Sequence, residues 1–334
     1  MKIVGLEEHF VTQDVLAAWH ALDAPWRDPG LQHHEHGDIG ARLIDLAECR
    51  VADMDAMGMD LQVLSLTAPG LQSQKPEQAV RLQRSINDLI ANTIRQRADR
   101  FQGFATLATP DPDAAAAELR RAVTQLGLNG AMLFGRTRDR NLDHRDNWPI
   151  FETAAALRAP LYIHPQSPVP AVRDALYSGN GDDVDAAFAT FGLGWHYETG
   201  VQILRMILAG VFDRFPDLVE FLPMGDGFTW DTQDRAQDIA STRRAWDEVK
   251  RMIADPSYAM VVADELNIVL RYDYLPLSDV LEALAAKPAM THVVITGRNA
   301  PEGLIAVADL VTEMGLVKHP FREQGVKAQA GVEF

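Results

Sequence analysis

The chain has 334 residues, with 31 Lys and Arg against 47 Asp and Glu, a formal net charge of −16. A field of that sign argues against nucleic acid as a partner, and an acidic substrate then needs a local cation, either a metal or an arginine. The one cysteine, Cys49, rules out an intrachain disulfide and a cysteine-built zinc cluster, and no apolar run approaches the ~18 residues of a membrane span. The opening MKIVGLEEHF is acidic by its seventh residue, unlike a signal peptide, so a cytoplasmic protein is expected.

In chain order, short apolar runs at 2–6, 61–66, 101–105, 130–133, 160–164, 218–222, 268–272 and 292–296 read as strands. They are continuous rather than alternating, as in parallel strands buried on both faces. Helical patterns follow them at 76–97, 111–126, 148–157, 198–212, 278–286 and 302–313. Asp111 can cap the second of these, with Pro112 in its first turn. Eight such strands in ~300 residues is the count of an α/β fold of the (β/α)8 barrel type, expected as a single domain over 1–334. A doubly wound sheet would want a Gly-rich phosphate turn after the first strand, where this chain has Glu7-Glu8-His9. The stretch 10–50 is the least regular. Within it, 24–40 carries Pro25, Pro29, His33, His34 and His36 and reads as a loop insertion over the C-terminal mouth of the barrel.

Barrel chemistry sits at the C-terminal strand ends. Glu7 and His9 are two apart on an extended segment and point to one side. His164 closes an apolar strand and is followed by Pro165. Together Glu7, His9 and His164 would make a three-ligand nitrogen–oxygen site for a catalytic divalent metal. Asp226 and Arg298 are the polar groups nearest the ends of the sixth and eighth runs.

Several motifs carry a resemblance: Leu6-Glu7-Glu8-His9-Phe10, the run from Arg50 to Asp60, Tyr162-Ile163-His164-Pro165, and Trp195-His196-Tyr197-Glu198-Thr199-Gly200. With them the chain resembles the amidohydrolase-related decarboxylases of γ-resorcylate, 2,3-dihydroxybenzoate and 5-carboxyvanillate. The resemblance implies a (β/α)8 barrel and a divalent metal, Zn or Mn, at its mouth. It also implies non-oxidative loss of CO2 from an aromatic or phenolic acid, in a homodimer or homotetramer. Glu7, His9 and His164 match the family's metal ligands.

Other positions depart from the family. Arg298 stands where a ligand Asp is expected, Pro223 where a proton-donating His is expected, Asp226 in place of a Glu, and Phe134 in place of an Asn. An Asp-to-Arg exchange ~5 Å from a dication changes each unit-charge pair by several kcal/mol at an effective dielectric constant of ~20. Pro223 has no side-chain proton to give.

Three functions are therefore expected in turn. The first is a metal-dependent decarboxylase in which Asp226 gives the proton. The second is a metal-free enzyme (another lyase, hydratase or cyclisation activity) in which Arg298 supplies the metal's charge. The third is a non-catalytic binding protein. His164, Asp226 and Arg298 are the candidate catalytic residues. Phe134, Pro223 and Asp273 are the candidate pocket residues, and Asp273 is also a candidate replacement ligand.

Overall fold

The computed structural model describes residues 3–31, 37–219 and 234–313. Strands β1 (Val4–Phe10), β2 (Leu61–Leu66), β3 (Phe101–Thr106), β4 (Gly130–Phe134) and β7 (Leu161–His164) form one parallel sheet, in that order. A small antiparallel pair, β5 (Arg136–Thr137) and β6 (Arg140–Asn141), follows β4. Every residue of β2 and β4 is buried, as their unbroken apolar runs require.

The segment 10–50 is more regular than its composition suggests. It holds α1 (Gln13–His20), α2 (Asp38–Ile44) and the start of α3 (Glu48–Met57). Thr12 caps α1 by accepting from the Val15 amide. Next comes α4 (Pro76–Gln96), which buries Ala79, Leu82, Ile86, Asn87 and Ile90 at helical spacing. Its Ile90 lies so close to β3 that a Cβ on Gly103 would stand 2.4 Å from the Ile90 Cγ2. Glycine at 103 is what lets this helix lie directly on the sheet. The series continues through α5 (Pro112–Arg121), α6 (Trp148–Leu157), α7 (Pro170–Leu176), α8 (Asp182–Ala187), α9 (Gly194–Leu208) and α10 (Val211–Arg214). As expected, Asp111 caps α5 through the Ala114 amide.

Beyond residue 234 come α11 (Arg235–Ala254), β8 (Met260–Ala263), α12 (Leu266–Arg271), α13 (Leu277–Ala286), β9 (His292–Ile295) and α14 (Glu302–Val307). Strands β8 and β9 pair in parallel. The strand expected at 268–272 is a helix. Its buried positions, Leu266 and Leu270, fall one helical turn apart, and the strand lies earlier at β8. Of the strand expected at 218–222, Leu218 and Val219 are not in a strand, and the rest lies outside the described residues.

The chain divides into two compact units, Met1–Phe221 and Leu222–Phe334. In the second, Trp246, Ile253, Val261, Leu270, Val280 and Leu304 pack among themselves as a core of their own. The larger core of the first unit is built on Phe10, Trp19, Leu64, Ile86, Phe101 and Phe151. No helix among the described residues is long and apolar enough to cross a membrane.

Candidate metal centre

Laid flat at ~4.8 Å between neighbours, the first and fifth strands of a sheet stand roughly 19 Å apart. Here His9 of β1 and His164 of β7 bring their Nε2 atoms to 3.1 Å. The sheet of the first unit therefore curls, and its two outer strands meet across the concave side. Glu7 joins them. Its Oε1 is 3.0 Å from His164 Nε2 and 3.3 Å from His9 Nε2. The three candidate ligand atoms lie within 4.8 Å of one another.

The surroundings orient each group. His9 pairs across the ladder with Ser65 of β2, and its Nδ1 is 3.1 Å from Ser65 Oγ. His164 Nδ1 lies 2.6 Å from the Pro165 carbonyl, which can only accept, so a neutral His164 carries its proton on Nδ1 and presents the Nε2 lone pair. Placing the His9 proton on Nδ1, where Ser65 can take it, leaves two imidazole lone pairs and a carboxylate oxygen facing one point. Three acceptors this close are satisfied by a shared metal ion or, when no metal is bound, by a proton on an imidazole Nε2. Ligand atoms ~2.1 Å from a six-coordinate metal are ~3.0 Å apart at adjacent positions, and ~3.4 Å apart in a tetrahedron. The observed spacings of 3.0, 3.1 and 3.3 Å accommodate a divalent ion, so the residues fit the metal.

The imidazoles of His164 and then His9 hold the Glu7 carboxyl well below the usual carboxylate range, although partial burial opposes them. Glu7 Oε2 accepts a hydrogen bond from the Tyr162 hydroxyl. Burial, then the bond to Glu7, pushes the Tyr162 phenol up to about 12. Ser65 and Tyr162 were not singled out from the sequence. The signal for Ser65 is a polar residue inside a fully buried strand. For Tyr162 it is a position two before His164, on the same face.

Phe134 pairs with His164 in register and sets its ring 5.0 Å from the imidazole, as one wall of the centre. Trp195 lies 6.3 Å from His164 on another side and donates to Ser167 Oγ at 2.9 Å. Ser167 in turn donates to Asp28 at 3.0 Å, which ties the 24–40 loop to the end of β7. Burial raises the Asp28 carboxyl. His33, His34 and His36 of that loop lie outside the described residues.

Pro223 and Asp226 also lie outside the described residues. Arg298 and Asp273 belong to the second unit, where both are exposed. Asp273 lines a cavity of about 430 Å³ there with Arg243, Leu270 and Tyr274.

Residues 20–222 match the Amidohydrolase family model, and residues 192–334 match the ATP:corrinoid adenosyltransferase BtuR/CobO/CobP model. Pro223, Asp226, Asp273 and Arg298 thus fall outside the first match and inside the second. A corrinoid adenosyltransferase from Sinorhizobium sp is 58% identical over 122 residues, 36% of this chain and 56% of that protein. The chain therefore spans little more than half of that relative's length. A second, from Pseudomonas aeruginosa, is 55% identical over 167 residues, 48% of this chain and 82% of that protein. The γ-resorcylate decarboxylase of a Polaromonas species is 34% identical over 266 residues, 75% of this chain and 76% of that protein.

Among solved structures, one is a 5-carboxyvanillate decarboxylase from Novosphingobium aromaticivorans, complexed with manganese and 4-hydroxy-3-methoxy-5-nitrobenzoic acid. It is 31% identical with a TM-score of 0.60, over 65% of this chain and 63% of its own. The 5-carboxyvanillate decarboxylase of Sphingomonas paucimobilis is 27% identical with a TM-score of 0.60, over 93% of this chain and 94% of its own. The chain belongs to the amidohydrolase family, whose α/β-barrel fold it has, and through its C-terminal residues to the corrinoid adenosyltransferase family.

Proposed function

We propose that the first unit holds a divalent cation at Glu7, His9 and His164 and uses it for non-oxidative decarboxylation of a hydroxybenzoic acid. The observation that carries this reading is the convergence of three acceptor atoms at 3.0–3.3 Å with no proton to share between them once both imidazoles are protonated on Nδ1. The decarboxylase relatives, one of them in complex with manganese, support it. When bound, the cation supplies the local positive charge that an acidic substrate needs in a chain of net charge −16.

The chain's own residues do the rest. Glu7, His9 and His164 fix the cation, Ser65 and the Pro165 carbonyl set the imidazole tautomers, and Phe134 gives an aromatic ring an apolar wall. Loss of CO2 requires a proton at the ring carbon. We propose a homo-oligomer as the working form.

The end of the amidohydrolase match at residue 222 favours a second reading, a centre that binds metal and acid without turnover. Metal analysis with CO2 release from 2,6-dihydroxybenzoate separates the two. About one Mn or Zn per chain with CO2 release supports the decarboxylase; metal without CO2 supports the binding protein; metal-free protein that still reacts sinks both.

A further inference from the structure

We propose that Tyr162 fixes Glu7 as a one-oxygen ligand and so keeps a coordination position open for substrate. The inference rests on the reading of Glu7, His9 and His164 as a metal centre. The two oxygens of Glu7 face different partners. Oε1 looks at the two imidazoles, at 3.0 and 3.3 Å, while Oε2 is engaged by the Tyr162 hydroxyl. A carboxylate that clasps one cation with both oxygens must turn both toward it. A phenol O–H bound to Oε2 opposes that rotation.

Local structure makes the clamp rigid. Tyr162 and His164 are two apart on β7 and project to one face, so the strand that supplies a ligand also supplies the restraint. The Tyr162 ring rests 5.9 Å from Phe104, and the Glu7 side chain, on β1, meets His9 and His164 besides Tyr162. The consequence concerns binding of the acid. A hydroxybenzoate approaching through a carboxylate oxygen and a neighbouring phenolate oxygen needs two adjacent free positions. Three one-atom ligands leave about three positions on a six-coordinate ion, and a Glu7 bound through both oxygens would reduce them to the two that the acid itself fills.

The test uses the full chain and Mn2+ alone as probe. Mn2+ affinity is read from the free-ion EPR signal, and the number of metal-bound waters from water-proton relaxation. In Tyr162→Phe the relaxation enhancement per bound Mn2+ is expected to fall by roughly a third, one of about three waters on a six-coordinate ion. Ser65→Ala, which loosens His9 instead, is expected to weaken Mn2+ binding by about 10-fold with no change in relaxation per bound ion. Should Tyr162→Phe not fold, Tyr162→Met removes the same O–H and repeats the measurement. Unchanged relaxation in a folded, Mn-binding Tyr162 variant overturns this proposal and leaves the metal centre standing. Failure of the unsubstituted chain to bind Mn2+ overturns both.

Discussion

A carboxylate and two imidazoles are held 3.0–3.3 Å apart, and the pH behaviour of Glu7 and Tyr162 follows from their hydrogen bonds. Glu7 has a depressed folded pKa. Its contribution to stability is present above the ordinary carboxylate value of 4.5 and is lost as pH falls toward the depressed one. Tyr162 goes the other way. Its neutral O–H is the form that binds Glu7, so its contribution is present below its ordinary value of 10.0 and is lost as pH rises through about 12. Ultraviolet titration of the metal-free protein should show one tyrosine ionising near that upper value, and Tyr162→Phe should remove this step. A titration in which Tyr162→Phe removes a step near 10 instead would mean that the phenol does not bind Glu7.

At the scale of elements, helix α9 is tied to the end of the sheet by a buried ion pair. Glu198 accepts from Arg136 of β5, and the two side chains are 11% and 4% exposed. Removing one partner strands the other charge away from water. Glu198→Ala is therefore expected to cost about 3–5 kcal/mol, read as a lowered midpoint in urea unfolding. A cost within ~0.5 kcal/mol would show that water reaches the pair. Glu198 thus has a bond consistent with a scaffold role. Most elements of the first unit were legible in the sequence because their burial is written as local periodicity. The spans 61–66, 76–97 and 148–157 match β2, α4 and α6 to within a residue. The run 268–272 was not legible. Four apolar and aromatic residues around Arg271 suit a buried strand or a buried helix equally, and only the packing of Leu266 and Leu270 decides between them.

For the whole molecule, two separate cores predict two unfolding events. Calorimetry of the full chain should resolve two transitions. Mn2+ at ~100 times its dissociation constant should stabilise one of them by about 2.7 kcal/mol, and a chelator should reverse that shift. A single transition that moves as a whole with metal would show the two units to be one cooperative block.

The apolar runs of the sheet, the acidic charge that calls for a local cation, and the candidate ligands Glu7, His9 and His164 can be read from residue order, because each belongs to a short stretch or to composition. The meeting of β1 and β7, the places of Ser65 and Tyr162 beside those three residues, and the separate core after residue 222 come from long-range packing. His9 and His164 are separated by 155 positions, and their contact at 3.1 Å depends on register and curvature summed over five strands. No local pattern encodes that sum.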